Sequence, residues 1–142
     1  MDIGGYRDMH RHRRCVQIGQ SFTTRHGYDT PPEVKDAGLQ KEYDAVMHRA
    51  AVGVEQLAKR GGAEAQENSE YAIPLAFRKR TLFKMDFAEV LYISELRTGP
   101  AGHISYRNVA YGMYEAVARK YPALAKYFRV TDVKEPVDLL KR

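Results

Sequence analysis

The segment of residues 30–62 constrains the fold most, because it combines a helix start, an apolar stripe and a helix stop. Thr30 and Pro31-Pro32-Glu33 have the order of a capping box, in which a hydroxyl satisfies free backbone N–H groups of the first turn. Apolar residues then recur at steps of three and four: Tyr43, Val46, Met47, Ala50, Val54 and Leu57. The pattern predicts an amphipathic helix over residues 31–59, ended by Gly61-Gly62.

Shorter elements are predicted before this helix. Residues 4–13 are expected to form a short helix that delivers a basic cluster. Residues 14–22 are expected to form a strand or an extended loop, with Cys15, Gln17 and Gly19 on one side and Val16 and Ile18 on the other. Residues 23–30 have the composition of a polar turn.

After the helix, the sequence predicts a further short helix and a strand. Residues 63–71 fit the short helix. Residues 73–85 alternate between two faces, which predicts a half-buried strand with a basic outer face. One face carries Leu75, Phe77, Thr81, Phe83 and Met85, and the other carries Arg78, Arg80, Leu82 and Lys84.

Two more helices complete the expected fold. Asp86 and Glu89 form a second capping box that opens a helix to about Leu96, and Thr98-Gly99-Pro100 ends it. A helix is then predicted from about His103 to Lys120, with one more turn after Pro122. Its buried stripe is Tyr106, Val109, Ala110, Met113 and Val117. The result is one α+β domain over residues 1–142, dominated by three substantial helices.

Composition limits the class of protein. The 142 residues suffice for one domain, and 44% hydrophobic with 29% charged residues is typical of a folded soluble protein. No apolar run approaches the roughly 20 residues that span a bilayer, so no membrane partner is expected. The first residues lack a signal-peptide pattern, and the single Cys15 cannot form an internal disulfide. A cytoplasmic location is therefore expected.

The charge favours anionic partners. The net charge of +5 and the pI of about 9.3 suit nucleotides, flavin phosphates or nucleic acid without choosing among them. The charge is concentrated in His10–Arg14 and Arg78-Lys79-Arg80, and such runs are most often solvated surface. No metal site is predicted, because His10 and His12 lack further ligands at suitable spacing. No glycine-rich phosphate loop is present in the sequence.

The first basic cluster also carries a family resemblance. Arg11-His12-Arg13 is followed by seven residues and then Ser21, which resembles the signature of flavin-dependent thymidylate synthases of the ThyX type. Further matching segments follow at family spacing, and the likeness covers roughly residues 6–128. These segments are Ile73-Pro74, Phe77–Phe83, Met85-Asp86, Leu96-Arg97 and Gly102–Arg107. The resemblance implies a mostly helical domain with a short sheet that lacks the family's N-terminal portion.

The resemblance implies a reaction and a set of ligands. The family methylates dUMP reductively to dTMP, with bound FAD as cofactor and with NADPH and methylenetetrahydrofolate as co-substrates. It is also built as homotetramers with shared sites, so a homo-oligomer or a partner half is expected. The resemblance places five residues at the flavin: Arg11, His12, Arg13, Asp86 and Ala88.

The resemblance also implies a nucleotide site. It places Ser21 and Arg97 at dUMP and makes Arg97 the catalytic cation, because charge builds on the pyrimidine ring. Arg97 could equally be a cation favoured by the helix end, and Ser21 an ordinary loop serine. Cys15 is expected to be a small packing residue, and His103 a cap or core residue.

Several family positions are replaced. Asp8 stands at a family Gln, Gly19 and Thr23 at a family Glu and Arg, and Glu70 at a family Arg. Little or no dTMP synthesis by this chain alone is therefore expected. Three hypotheses follow: a flavin- and nucleotide-binding domain, a non-catalytic structural half of a larger synthase, and a small basic nucleic-acid-binding domain. No recognised motif supports the third hypothesis.

Overall fold

The computed structural model describes residues 1–134 and is mostly helical with a two-stranded sheet, which confirms the predicted class. The elements in chain order are α1 (Ile3–Met9), β1 (Val16–Gly19), α2 (Pro32–Asp36), α3 (Gln40–Lys59), α4 (Ala63–Glu70), β2 (Thr81–Lys84), α5 (Phe87–Thr98), α6 (Ile104–Lys120) and α7 (Pro122–Ala125). No helix within residues 1–134 combines the length and the apolar character needed to cross a bilayer. The chain divides into two compact units.

Within the described residues, the first unit contains Met1, residues 5–18 and residues 81–134. Helices α5 and α6 pack against each other, and Met9, Ile93 and Ala110 are fully buried in its core. The start of α5 is as predicted, since Asp86 Oδ1 accepts a hydrogen bond of 2.8 Å from the Glu89 N–H. Residues packed around this core are Met1, Phe83, Met85, Tyr106, Val109 and Met113.

Helix α6 confirms the predicted helix and adds a buried charge. His103 occupies the N-cap, where its Nδ1 accepts from the Ser105 N–H at 3.3 Å, in agreement with the expected capping role. Arg107, which was not expected in the core, is 2% exposed. Its Nε donates to the carbonyl oxygen of Thr98 at 3.0 Å, and thereby satisfies one of the free carbonyl groups at the end of α5.

The sheet is shorter than the sequence predicts. In β2, Thr81 and Phe83 are half-buried whereas Leu82 and Lys84 are exposed, so the predicted alternation is confirmed there. The prediction of one strand over residues 73–85 is wrong, because the Phe77 N–H turns back to the Pro74 carbonyl oxygen at 3.1 Å. After this turn, Phe77 and Arg78 form only isolated antiparallel bridges, to Tyr28 and Asp2, so the pairing is not continuous with β2.

The second unit contains Asp2–Gly4 and residues 19–80. Its buried core is Ile3, Met47, Val54, Ile73 and Phe77. The end of α3 at Lys59 agrees with the predicted stop at Gly61-Gly62.

The single helix predicted over residues 31–59 is wrong. Helices α2 and α3 are separate, because Gly38 lies between them with a φ of +72°, a conformation that glycine adopts without steric cost. The predicted capping role of Thr30 is wrong as well. Pro31 holds the N-cap position without a side-chain cap, and Thr30 Oγ1 instead accepts from Gln40 Nε2 at 3.3 Å.

The first predicted helix is also too long. α1 ends at Met9, and the backbone turns at His10 and Arg11 rather than continuing to residue 13. Arg11-His12-Arg13 therefore lies beyond the helix.

Candidate functional site

The turn beyond α1 separates the side chains of the signature. The His12 N–H donates to the Met9 carbonyl oxygen at 3.2 Å, which brings the chain back over the end of the helix. His12 is 5% exposed. Arg11 and Arg13, on either side of it, are exposed. The turn thus buries the imidazole and leaves two guanidinium groups at the surface.

His12 lies in a polar group that also contains Asp8, Glu89 and Arg97, which we name the His12 cluster. The Arg97 Nε donates to His12 Nε2 at 2.9 Å, and the Arg97 Nη2 donates to the Asp8 carbonyl oxygen at 3.0 Å. On the other side of the imidazole, His12 Nδ1 lies 3.5 Å from Glu89 Oε1. The imidazole is thus held between a cation and an acid.

Helix α5 positions both flanking groups. Glu89, Ile93 and Arg97 recur every four residues, so they lie along one face of the helix. Ile93 is 0% exposed and fixes this face against the core. Tyr92 packs edge-on to His12 with ring centres 5.8 Å apart.

The contact with Arg97 indicates the protonation of His12. A guanidinium group only donates hydrogen bonds, so His12 Nε2 must be unprotonated in order to accept. The ring proton then lies on Nδ1, which faces Glu89. Burial and the Arg97 charge lower the pKa of His12 below its usual 6.5, although Glu89 opposes them. His12 is therefore a neutral acceptor near neutral pH.

This lowered pKa makes folding sensitive to acid. As the pH falls below 6.5, the unfolded chain binds a proton at His12 before the folded chain does, so the free energy of unfolding decreases. The decrease continues until the pH reaches the pKa of His12 in the folded state. Replacing His12 by Gln, whose amide oxygen can still accept from Arg97, should remove this contribution.

Urea denaturation at several pH values between about 8 and 5 measures the effect as a difference between wild type and His12→Gln. The other titrating groups contribute to both proteins and cancel in the difference. Parallel stability profiles for the two proteins would contradict the neutral state assigned to His12.

Arg97 lies in the last turn of α5 with a side chain that is 16% exposed. Its Nη1 is 3.7 Å from Asp8 Oδ1, and its guanidinium carbon is 5.6 Å from the centre of the Tyr106 ring. The guanidinium group is therefore directed at protein groups. The roles of a nucleotide-binding cation and of a helix-end cation both stay predictions.

The start of α5 contains the two other residues assigned to the flavin. Asp86 caps the helix through Oδ1, and its Oδ2 accepts from Arg14 Nη2 at 2.9 Å. The bond from the Glu89 N–H and the bond from Arg14 lower the pKa of Asp86 despite partial desolvation. Ala88 is exposed in the first turn. Asp86 and Arg14 neutralise each other, so Asp86 acts here as a cap.

Arg11 and Arg13 differ from Arg14, which is paired with the Asp86 carboxylate. Within residues 1–134, neither guanidinium group forms an ion pair with a carboxylate. These exposed cations are therefore available to an anionic ligand. The net charge of +5 favours the approach of such a ligand.

Ser21 belongs to the second unit and is exposed in the loop between β1 and α2. The adjacent Phe22 N–H donates to Glu70 Oε2 at 3.3 Å, and the Lys79 ammonium lies 3.6 Å from the centre of the Phe22 ring. Burial lowers the pKa of Lys79, although Glu70 opposes the shift. Glu70 thus holds the backbone next to Ser21, whose role in binding nucleotide stays a prediction.

Cys15 lies just before β1 and is half-buried. Its thiol donates to the His12 carbonyl oxygen at 3.0 Å and accepts from Gln17 Nε2 at 3.3 Å, so it braces the turn that carries the signature. Among the described residues, no group of three or more His, Cys, Asp or Glu side chains could hold a metal ion.

Comparison with known families and proteins identifies the relationship. The family described as thymidylate synthase complementing protein matches residues 1–123. The chain belongs to this family. Among its relatives are proteins named UPF0159, at 33% identity over 97% of the chain in Chlamydia pneumoniae and 34% over 94% in Chlamydia muridarum. The chain spans about a quarter of the length of these relatives, 25% of each.

A solved structure shows the same fold. The flavin-dependent thymidylate synthase ThyX from Helicobacter pylori, complexed with FAD and dUMP, superimposes with a TM-score of 0.66. The match covers 89% of this chain and 68% of that protein at 12% sequence identity. At this identity the similarity shows the fold alone.

Two members of the His12 cluster were missed by sequence reasoning about this family. Glu89 was interpreted only as a capping-box residue, and Asp8 only as the replacement of a family Gln. The spacing of Glu89, Ile93 and Arg97 was the available signal, because it places an acid and a cation on the buried face of one helix.

Proposed function

We propose that this chain is the FAD-binding domain of a protein of the flavin-dependent thymidylate synthase type. The observation that carries the proposal is the pair of exposed cations, Arg11 and Arg13, on either side of the buried His12. The flavin pyrophosphate is anionic, and the planar fork of an Arg side chain pairs with phosphate oxygens in two-point contacts. In this proposal His12 anchors the turn, and the exposed start of α5 at Ala88 completes the flavin site.

The nucleotide site is the second part of the proposal. Arg97 binds dUMP in this proposal and stabilises the negative charge that develops on the pyrimidine ring. Ser21 keeps the nucleotide contact that the family resemblance implies. Bound FAD would supply the hydride-transfer chemistry in this proposal, with NADPH and methylenetetrahydrofolate as co-substrates. Arg97 must then exchange a contact to Asp8 for a contact to the nucleotide, because its donors are now directed at protein groups. The assembly in this proposal is a cytoplasmic homotetramer or a pairing with a partner half.

Titration of the purified chain with FAD tests the first part. A yellow protein with a flavin absorption spectrum and saturable quenching of flavin fluorescence is expected. A chain that takes up no FAD, but binds DNA with a steep dependence on salt, would favour the nucleic-acid-binding hypothesis instead.

We expect little or no dTMP synthesis by the isolated chain. Asp8 and Glu70 replace neutral or cationic family positions with acids, and acids disfavour an anionic nucleotide. Chromatographic detection of dTMP in the complete reaction mixture measures this, with an active flavin-dependent synthase as positive control. Robust dTMP formation by this chain would contradict the expectation.

One observation favours the hypothesis of a non-catalytic structural half. Arg97, the residue assigned to catalysis, forms hydrogen bonds with His12 and with the Asp8 backbone. FAD uptake without measurable dUMP binding is the result that this second hypothesis predicts.

A further inference from the structure

Glu89 is a buried acid that the proposed function does not use. It is 6% exposed, and burying a carboxyl group is costly unless a polar partner compensates. Its backbone N–H is bonded to Asp86, so helix capping accounts for the backbone and not for the side chain. Its Oε1 faces the imidazole of His12.

We propose that Glu89 is a positioning residue that holds His12 in the Nδ1–H tautomer, so that His12 Nε2 remains the acceptor for Arg97. The inference rests on the proposed function in one respect. There, Arg97 is assigned to the nucleotide site, and His12 anchors the turn that carries the two flavin-binding arginines. The tautomer itself follows from the contacts of the His12 cluster alone.

The choice between tautomers is decided by what faces each ring nitrogen. A proton on Nε2 would point at the Arg97 Nε–H, 2.9 Å away between heavy atoms, so two donors would meet. A proton on Nδ1 lies instead on the side of the ring that faces the Glu89 carboxylate, whose Oε1 is 3.5 Å from Nδ1. An acid on one side and an obligate donor on the other therefore favour the same tautomer.

The consequence for Arg97 is a guanidinium group of fixed direction. Its Nε bonds to His12 and its Nη2 to the Asp8 carbonyl oxygen, so the fork is held from two sides. The other groups facing the cluster are Tyr92 on α5 and Tyr106 on α6. Without the Glu89 acceptor, the Nε2–H tautomer becomes accessible and the His12 side of this support is lost.

Two-bond ¹H–¹⁵N correlation spectra of the histidine rings test the inference near pH 7. Wild type should show His12 as the Nδ1–H tautomer. Glu89→Met keeps a long side chain but removes the acceptor, and should shift His12 toward the Nε2–H form. Glu89→Gln keeps a carbonyl oxygen and should restore the wild-type tautomer. Glu115→Met, at an exposed site on α6, is the matched control and should leave it unchanged.

FAD titration of the same proteins tests whether the tautomer matters for binding. Glu89→Met should raise the Kd for FAD by about tenfold, the lower end of the loss seen when the partner that orients a metal-bound histidine is removed. Glu89→Gln should retain wild-type affinity.

The outcomes separate the two proposals. An Nε2–H form in wild type, or an unchanged Nδ1–H form in folded Glu89→Met, overturns the role of Glu89. If Glu89→Met loses the Nδ1–H form of His12 but binds FAD with unchanged affinity, the claim that Glu89 positions His12 for the flavin site is overturned. If Glu89→Met does not fold, the spectra of wild type and Glu89→Gln test the role of Glu89. An Nε2–H form of His12 in either protein overturns that role. Wild type that binds no FAD contradicts the proposed function, whereas its tautomer still decides the role of Glu89.

Discussion

Replacing both Arg11 and Arg13 by Ala should weaken FAD binding by at least about 100-fold. A charge-assisted hydrogen bond contributes about 1.5–3 kcal/mol, and about 1.4 kcal/mol corresponds to a factor of ten in Kd. Both side chains are exposed, so removing them should leave the fold intact. Quenching of flavin fluorescence during titration with the chain measures the Kd of variant and wild type.

The matched control is the double variant Arg49→Ala with Arg119→Ala. Both residues are exposed, on α3 and α6, and their loss changes the net charge by the same amount. A weaker general attraction should lower the affinity only a few-fold. Equal losses of FAD affinity in both double variants would mean that FAD binding responds only to overall charge. Unchanged affinity in the variant that lacks Arg11 and Arg13 would remove the basis of the proposed site.

Arg14→Ala refines the comparison within the basic cluster His10–Arg14. Arg14 is already paired with Asp86 Oδ2 at 2.9 Å, so a ligand gains less from it than from an unpaired cation. We expect a smaller effect on FAD affinity than from Arg11→Ala or Arg13→Ala.

The elements that the sequence predicted correctly are those whose signals are local. Asp86 caps α5 through a bond to the N–H three residues later, so a short stretch of sequence contains both partners. The break between α2 and α3 was missed because the predicted helix start at Thr30 was joined to an apolar stripe that begins only at Tyr43. Gly38 lies between them, and its positive φ separates the two helices.

The candidate site was predictable only in part, for a related reason. Arg11 and Arg13 follow from spacing within the signature. The contact between His12 and Arg97 joins residues 85 positions apart, and only the packing of α5 brings them together. Glu89 shows most clearly what could not be predicted from the sequence. Its backbone N–H bonds to the predicted cap residue, whereas its side chain faces His12.

Replacing Ile93 by Ala should lower the free energy of unfolding of the first unit by about 2–5 kcal/mol. Ile93 is 0% exposed and packs with Met9 and Ala110 in the core. Truncation removes apolar contacts and leaves a cavity that its neighbours fill only partly. Urea denaturation monitored by circular dichroism measures the loss.

Leu96→Ala is the matched control on the same helix. Leu96 is 49% exposed, so its truncation removes less buried surface and should cost well under half as much. Because Ile93 lies one turn from both Glu89 and Arg97, the cavity should also loosen the His12 cluster. Ile93→Ala should therefore weaken the tautomer preference of His12 in the folded protein, whereas Leu96→Ala should preserve it. Equal stability losses in the two variants would mean that α5 is not held by the face that carries Glu89, Ile93 and Arg97, and the geometry of the His12 cluster would then need another support.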